Sequence, residues 1–219
     1  MAAPLAQHDN MTLDPVLHGL YAVTPDDALL PRLSAMVASA LKGGVRLVQY
    51  RNKTASAPLR RSQAAELLRI CRASGAALII NDDLSLALDV GADGVHLGGD
   101  DGDLSIARNA LGPNRILGAS CYNNIARGEA AMRAGADYLA FGSMFSSKSK
   151  TTVVAAPLTI LSEARRFGLP IAAIGGITLD NAPEVIHAGA DMVAVISDLF
   201  DTTDIATRAA NFQDLFVTT

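Results

Sequence analysis

A short motif, Gly-Ala-Asp followed by an apolar run, occurs three times and constrains the fold of this chain more than any other feature. It begins at Gly91, Gly135 and Gly189, each time after an alanine-rich stretch with helical character. A glycine that caps a helix and leads into a strand explains such a motif, and we expect the three aspartates to cap turns. The recurrence indicates that one helix–strand unit is repeated along the chain.

The same unit can be followed in full over residues 171–197. A first apolar run ends at Gly175-Gly176, a helix-like segment covers 180–188, and a second apolar run follows. Both runs are almost continuously apolar, which is typical of parallel strands buried on two faces. Glycines at the end of a strand let backbone amides approach an anion, so we predict a phosphate site at this turn.

Strand-like and helix-like segments alternate along the rest of the chain. The predicted strands are 20–24, 45–51, 77–81, 94–97, 115–121, 138–145, 171–174 and 192–197. The predicted helices lie near 27–41, 58–73, 84–90, 103–111, 124–134, 157–167, 180–188 and 204–216. Open doubly wound sheets rarely hold eight such units in 219 residues. We therefore predict an α/β fold, a single (β/α)8 TIM barrel over residues 19–219, with its active site at the carboxyl ends of the strands.

Composition and charge exclude several classes of protein. The net charge is −4 and there is no basic run, so we expect no nucleic-acid partner. No apolar stretch reaches the ~18 residues of a membrane span, and Cys71 and Cys121 provide neither a disulfide framework nor a metal-ligand spacing. Residues 1–18 lack Lys and Arg and do not resemble a signal peptide. We expect a cytoplasmic enzyme with an N-terminal extension, 1–18, whose order the sequence leaves open, as it does a homo-oligomeric state.

Polar residues gather where the second predicted strand ends. A period of two along this strand predicts one shared face for Val45, Leu47, Gln49, Arg51 and Lys53. Two cations and an amide at the mouth of a barrel would suit an oxyanion. The alternative is a solvated strand end with unpaired charges.

Acidic residues follow the third and fourth strands. Asn81-Asp82-Asp83 ends one strand, and the other leads into a loop with Asp100 and Asp101. Carboxylates of this kind, together with a substrate diphosphate, are the ligands that Mg²⁺ prefers. Either Asp82 or Asp83 could instead cap the next helix, and we prefer Asp101 to Asp100 as a ligand by register.

Three further groups belong to the predicted mouth. His96 lies mid-strand, and we expect it to be hydrogen-bonded and structural rather than catalytic. Ser120 ends the fifth strand beside Cys121, which we expect to pack rather than react. The loop after the sixth strand offers Ser147, Lys148, Ser149 and Lys150, either as a lid over a phosphorylated substrate or as a mobile surface loop.

Seven of these segments, in this order and spacing, resemble the thiamine-phosphate synthase family over roughly residues 20 to 200. The segments are Gln49-x-Arg51-x-Lys53, Asn81-Asp82, the Gly-x-x-Asp segment ending at Asp101, Gly118-x-Ser120, Ser147-x-Ser149-Lys150, Ile174-Gly175-Gly176-Ile177 and Val195-Ile196-Ser197. The resemblance implies an enzyme that joins a hydroxymethylpyrimidine diphosphate to a thiazole phosphate carboxylate. The products would be thiamine phosphate, pyrophosphate and carbon dioxide, with Mg²⁺ assisting the departure of the diphosphate.

The resemblance also implies roles for individual residues. Asp82 and Asp101 would bind Mg²⁺, and the groups expected to act in catalysis are Arg51, Lys53, Ser120 and Lys150. The pyrimidine diphosphate would contact Gln49, Arg51, Lys53, Asn81, Ser120 and Lys150. The thiazole phosphate would contact Ser147, Ser149, Gly175, Gly176, Ile196 and Ser197. Tyr50, Asn52 and Lys148 lie inside the matching motifs and complete the predicted substrate-binding set.

The chain departs from the family pattern at three places. Asn52 stands where the family commonly has Glu, Gly99 where it has Gln, and 146–150 reads Ser-Ser-Lys-Ser-Lys in place of Pro-Thr-x-Thr-Lys. Serine lacks the methyl group and χ1 stiffness of threonine, and the loss of proline frees the backbone, so we predict a more mobile lid.

Three other functions share parts of this pattern. A thiazole tautomerase would share the barrel and the phosphate site, yet proton transfer alone requires neither metal carboxylates nor a diphosphate clamp. A phosphosugar isomerase or epimerase would need a carboxylate and histidine placed for proton abstraction, which the sequence does not suggest. A non-catalytic protein that senses a phosphorylated ligand would bind thiazole phosphate without turnover.

Overall fold

Eight parallel strands close into a barrel in the computed structural model, which describes residues 16–99, 101–146 and 155–217. Each strand pairs with the next one in sequence, and the last pairs with the first. The strands are β1 Gly19–Val23, β2 Leu47–Tyr50, β3 Ala77–Asn81, β4 Gly94–Leu97, β5 Ile116–Tyr122, β6 Tyr138–Gly142, β7 Ile171–Ile174 and β8 Met192–Val195. The predicted (β/α)8 barrel is therefore confirmed.

Helices cross the outside of the barrel between successive strands and after the last one. Those between strands are α1 Leu30–Lys42, α2 Ala57–Ala73, α3 Leu84–Val90, α4 Leu104–Leu111, α5 Ile125–Arg133, α6 Thr159–Ala164 and α7 Ala182–His187, and those after β8 are α8 Ser197–Phe200 and α9 Ile205–Asp214. A 3₁₀ turn, Arg165–Phe167, extends α6. Within the described ranges, none of these helices has the length and apolarity needed to cross a membrane.

Most element boundaries agree with the prediction, and β3, β4 and β7 agree to the residue. Three strands are shorter than predicted: β2 covers Leu47–Tyr50 rather than 45–51, β6 ends at Gly142 rather than at 145, and β8 ends at Val195 rather than at 197. The backbone turns at Ile196 (φ −113°, ψ −84°), and Ser197 begins the short helix α8. An apolar run can continue past the last paired residue, so periodicity alone does not show where a strand stops.

The core consists of two layers. The larger one fills the space between strands and helices, and a smaller one fills the barrel interior with Tyr21, Leu47, Ile79, Tyr138 and Met192 among its members. Leu17, just before β1, is buried against this inner layer. Val45, predicted to share a face with Leu47, packs in the outer layer instead. Strand alternation cannot be extended back to Val45 because β2 begins at Leu47.

The three Gly-Ala-Asp motifs join neighbouring strands at the amino-terminal end of the barrel. The carboxylates of Asp93, Asp137 and Asp191 accept hydrogen bonds from the backbone N–H groups of Leu78, Leu117 and Ile171, at 2.7 to 2.9 Å. An arginine from the helical segment one unit earlier in the chain pairs with each aspartate and donates to the carbonyl of the motif glycine; these are Arg72 on α2, Arg108 on α4 and Arg165 in the 3₁₀ turn after α6. The repeated motif is therefore structural, as expected, but its aspartates bond to the neighbouring strand rather than capping turns, and its arginine partners were not predicted.

Candidate active site at the carboxyl ends of the strands

Two cations reach the mouth from the end of β2. Arg51 donates from Nη1 to Asp26 at 3.2 Å, and the backbone N–H of Lys53 donates to the same carboxylate oxygen at 3.0 Å. The Lys53 ammonium lies 3.5 Å from a carboxylate oxygen of Asp82 on β3. Asp26, in the loop after β1, was not among the predicted site residues, although the acidic pair Asp26-Asp27 marks this loop in the sequence.

Tyr50 and Asn52 alternate with these residues and are buried on the helix side. The Tyr50 hydroxyl donates to Gln63 Oε1 at 2.8 Å. The Asn52 amide nitrogen donates to the carbonyl of Asp27 and to the same Gln63 oxygen, and its Oδ1 accepts from the backbone of Thr54 and Ala55. The hydrogen bonds of both side chains therefore hold the β2–α2 loop against α2.

Two adjacent aspartates, Asp82 and Asp83, follow β3, and their side chains make different contacts. Asp83 is the N-cap of α3, because its Oδ1 accepts from the Leu86 N–H at 2.9 Å. Asp82 adopts a left-handed backbone conformation (φ 62°), which directs it away from the helix. Its carboxyl shares a hydrogen bond with Asp101, and the Lys53 ammonium lies on it as well. The question of which aspartate caps the helix is thus resolved in favour of Asp83.

Asp101 completes an acidic pair with Asp82. Its Oδ2 accepts from the Gly98 N–H at 3.0 Å, which folds the β4–α4 loop back over the strand end. Partial desolvation, the hydrogen bond with Asp82 and the charge of Asp82 all raise the pKa of the Asp101 carboxyl. A side chain at Gly98 would collide with this carboxylate, since an added Cβ would lie 2.4 Å from Asp101 Oδ2.

This acidic pair has the chemistry of a magnesium site with few protein ligands. The charge of Asp82 helps to raise the pKa of Asp101, and such a pair favours a bound cation because a cation removes the mutual repulsion of the two carboxylates. In the part of the chain that the structure describes, no group of three or more His, Cys, Asp or Glu is arranged as a metal cage. One or two carboxylates, with waters and substrate phosphates, form the usual coordination of Mg²⁺. Asp82 and Asp101 therefore fit this ion.

A buried chain of hydrogen bonds crosses the barrel interior below the mouth. Gln49 Nε2 donates to the Tyr21 hydroxyl at 2.7 Å, and the hydroxyls of Tyr21 and Tyr138 share a hydrogen bond of 2.7 Å. His96 Nδ1 lies 2.8 Å from the Tyr138 hydroxyl, and its Nε2 lies 2.8 Å from Ser120 Oγ. Burial lowers the pKa of His96 to about 4, so the imidazole is neutral at pH 7. His96 is hydrogen-bonded at both nitrogens, as expected.

The turn after β7 is shaped for close backbone approach. Gly175 and Gly176 both have positive φ, 90° and 66°, and an added Cβ on Gly176 would lie 2.6 Å from the carbonyl oxygen of Phe145. The Asn181 amide donates to the Gly176 carbonyl at 3.0 Å and holds the turn. Ile196 and Ser197 lie at the adjacent end of β8, where Ser197 opens α8. Asn181 was not predicted as a site residue.

The other predicted site positions are Asn81, Asp100 and four residues that follow β6. Asn81 is half-buried at the end of β3, next to Asp82. Asp100 and the loop residues Ser147, Lys148, Ser149 and Lys150 lie outside the described residues. Cys121 is buried and its pKa is raised to about 12 by desolvation, so it packs rather than reacts, as expected.

A closed barrel whose mouth combines cations, a carboxylate pair and a glycine turn belongs to the class of (β/α)8 enzymes that act on phosphorylated small molecules. Comparison with known proteins narrows this class. The model of the family described as thiamine monophosphate synthase matches residues 20–199, and the chain therefore belongs to that family.

Individual relatives agree with this assignment. A thiamine-phosphate synthase of Aromatoleum aromaticum is 52% identical over 204 residues, which cover 93% of this chain and 98% of that protein. One of Chromobacterium violaceum is 51% identical over 90% of this chain and 95% of its own length. Among solved structures, a thiamine phosphate pyrophosphorylase from Pyrococcus furiosus superposes with a TM-score of 0.81 at 32% identity, covering 92% of this chain and 96% of that one.

Proposed function

We propose that this protein is a thiamine-phosphate synthase, a transferase of thiamine biosynthesis. It joins 4-amino-2-methyl-5-(diphosphooxymethyl)pyrimidine to the carboxylate form of 4-methyl-5-(2-phosphoethyl)thiazole. The bond between the pyrimidine methylene and the diphosphate oxygen breaks, and pyrophosphate leaves with the electron pair. The thiazole nitrogen then bonds to the methylene. The thiazole carboxylate is lost as carbon dioxide, and the electron pair that remains on the ring carbon takes up a proton.

The observation that carries the proposal is the meeting of Lys53, Asp82 and Asp101 at the ends of β2, β3 and β4. A leaving diphosphate gains charge in the transition state, so cations and a metal site beside it accelerate bond breaking more than they stabilise the ground state. Arg51 lies on the same strand end and adds a planar donor that suits phosphate oxygens. This arrangement serves diphosphate departure and has no use in a tautomerase.

Asp82 and Asp101 would hold the magnesium ion, which supplies charge neutralisation to the diphosphate when it is bound. Lys53 and Arg51 would bind the diphosphate oxygens themselves. In the absence of substrate these cations are paired with Asp82 and Asp26. Exchange of these partners for phosphate oxygens costs little, because the pairs are partly exposed to solvent.

Gln49, Asn81 and Ser120 would bind and orient the pyrimidine ring, and the turn at Gly175-Gly176 with Ile196 and Ser197 would bind the thiazole phosphate. Two of the predicted contacts receive a different role. Because Tyr50 and Asn52 direct their polar atoms to α2 and the β2–α2 loop, we propose that they position Arg51 and Lys53 without contacting substrate. The lid role of Ser147, Lys148, Ser149 and Lys150 stays a prediction, as do a cytoplasmic location and a homo-oligomeric state.

The test is a turnover assay with purified protein, the pyrimidine diphosphate, the thiazole phosphate and Mg²⁺, with thiamine phosphate detected after oxidation to its fluorescent thiochrome. We expect product that is lost with EDTA and in Arg51→Ala. Arg61→Ala is the matched control, because Arg61 is an exposed arginine on α2 that pairs with Asp89 away from the mouth. Binding of thiazole phosphate without product would contradict the synthase activity and favour the tautomerase or the sensor.

A further inference from the structure

The hydrogen-bond chain inside the barrel connects two of the residues assigned to the pyrimidine. It starts at Gln49 on β2 and passes through Tyr21 and Tyr138 to His96 and Ser120. The three middle residues are almost completely buried, with exposed fractions of 1%, 0% and 6%. A chain of this kind spans five strands, although a barrel interior is normally filled by apolar side chains.

Packing around the chain is adapted to hold the Tyr138 hydroxyl in place. The rings of Tyr21 and Tyr138 meet edge to face at 5.7 Å, and the His96 ring stacks on Tyr138 at 5.5 Å. Gly118 leaves the space that the Tyr138 ring occupies, since an added Cβ would lie 2.2 Å from its hydroxyl oxygen. The lack of a side chain at Gly118 in the Gly118-x-Ser120 segment therefore makes room for the Tyr138 ring.

When every hydroxyl proton between Gln49 and Ser120 is used within it, the hydrogen-bond chain can run in only two directions, here called its two senses. Each tyrosine hydroxyl has one proton, and a neutral imidazole has one donor and one acceptor nitrogen. If Gln49 donates to Tyr21, then Tyr21 donates to Tyr138 and Tyr138 donates to His96 Nδ1. His96 then holds its proton on Nε2 and donates to Ser120, whose own proton is free for a ligand. In the opposite sense every donor and acceptor is exchanged.

The donor and acceptor character of the two ends is therefore linked. With Gln49 Nε2 donating one of its two protons into the chain, the groups left for a ligand are the Gln49 oxygen, an acceptor, the second Gln49 N–H, and the Ser120 O–H, a donor. We take the pyrimidine to bind with its C4 substituent at Gln49 and its neighbouring ring nitrogen at Ser120. A 4-aminopyrimidine then donates from its amino group to the Gln49 oxygen and accepts from the Ser120 O–H. In the same pose the 4-oxo analogue turns a ring N–H toward the Ser120 proton, and only the opposite sense removes this conflict.

We propose that Tyr138 and Tyr21 are positioning residues that act through His96 and Gln49 to select an aminopyrimidine over an oxopyrimidine. The inference rests on the proposed function, because it takes Gln49 and Ser120 to be the contacts of the pyrimidine ring. Neither tyrosine touches the substrate. Their hydroxyls fix which end of the chain donates and which accepts.

The experiment compares two substrates, the 4-aminopyrimidine diphosphate and its 4-oxo analogue, with the same thiazole phosphate and Mg²⁺. Pyrophosphate release is counted for both, and the ratio of their kcat/KM values is compared among the wild type, Tyr138→Phe and Tyr21→Phe. We expect the wild type to prefer the amino substrate at least about 100-fold, since a mismatched buried hydrogen-bonding group is costly. Either substitution should lower that ratio about tenfold or more, while the KM for thiazole phosphate stays the same.

Tyr50→Phe is the matched control for the loss of a buried tyrosine hydroxyl, because Tyr50 donates to Gln63 outside the chain. We expect its substrate ratio to equal that of the wild type. Thermal denaturation checks that each variant is folded. If Tyr138→Phe is unstable, the substrate ratio of Tyr21→Phe tests the inference instead. Equal losses for both substrates in both chain variants would overturn the inference and leave the synthase activity intact. An inactive wild type would overturn the proposed function and this inference together.

Discussion

Asp82 and Asp83 are adjacent in sequence, and their substitution should have opposite consequences. Asp83 caps α3 through its bond to the Leu86 N–H at 2.9 Å. Loss of an N-cap costs about 1 kcal/mol, with a range of about 0.5 to 2. The ion pair of Asp83 with Arg60, at 4.0 Å and partly exposed, adds little. Asp83→Ala should therefore lower the free energy of unfolding by about 1 kcal/mol, which is about 2–4 °C in Tm for a chain of this size.

Asp82→Asn should leave stability unchanged or slightly higher in the absence of metal. Asparagine tolerates the left-handed backbone at this position (φ 62°), and the substitution removes a like charge beside Asp101. The lost pair with Lys53 is exposed and contributes little. The substitution removes a proposed metal ligand, however, so the Mg²⁺ concentration for half-maximal activity should rise by at least about tenfold.

The assay is the same for both variants: Tm in EDTA, followed by turnover over a titration of Mg²⁺. Binding of Mn²⁺, measured by its electron paramagnetic resonance signal, reports on the site independently of activity. The reasoning is refuted if Asp83→Ala keeps the wild-type Tm, or if it weakens metal binding as much as Asp82→Asn does. Either result would mean that the two aspartates do not divide capping and metal binding as the hydrogen bonds indicate.

Two further predictions concern His96 and the β7 turn. The folded protein binds a proton at His96 only near pH 4, whereas the unfolded chain does so near 6.5. Stability should therefore fall as the pH drops from 6.5 to 4, by about 3 kcal/mol more than in His96→Gln, as measured by urea unfolding at pH 7, 5 and 4. Gly176→Ala and Gly75→Ala introduce the same strain, since both glycines have φ 66°. Only the first also collides with the carbonyl of Phe145, so it should lose about 1–3 kcal/mol more in denaturant unfolding and raise the KM for thiazole phosphate; equal losses would contradict the crowding at this turn.

The order of the elements was accessible to sequence analysis because each element carries its own local signal. Parallel strands appear in the sequence as apolar runs and helices as amphipathic stretches. The Gly-Ala-Asp motif marks the turn from a helix to the next strand. The carboxyl ends of the strands could be located in this way, and with them most of the candidate site. The predicted ends of β6 and β8 lie beyond the observed ends, because the apolar character of both segments continues past the last residue that pairs with a neighbouring strand.

Side-chain direction at the mouth was less predictable. Tyr50 and Asn52 lie in the same polar run as Arg51, yet both turn toward Gln63 on α2. An acidic pair marks the loop after β1 in the sequence, but nothing there indicates that Asp26 meets residues from the end of β2. Such pairings depend on how two loops approach each other, which no local pattern encodes.

The sequence by itself determined the barrel, its family and the strand ends where charge gathers, since repeats, periodicity and short motifs are properties of neighbouring residues. Tertiary structure alone decided that Asp83 caps α3 while Asp82 faces Asp101, and that Gln49 and Ser120 are joined through the barrel interior. Tyr21 and Tyr138 share a hydrogen bond although 117 positions separate them. Contacts of this kind exist only after the barrel closes, because closure brings distant strands within reach of one another.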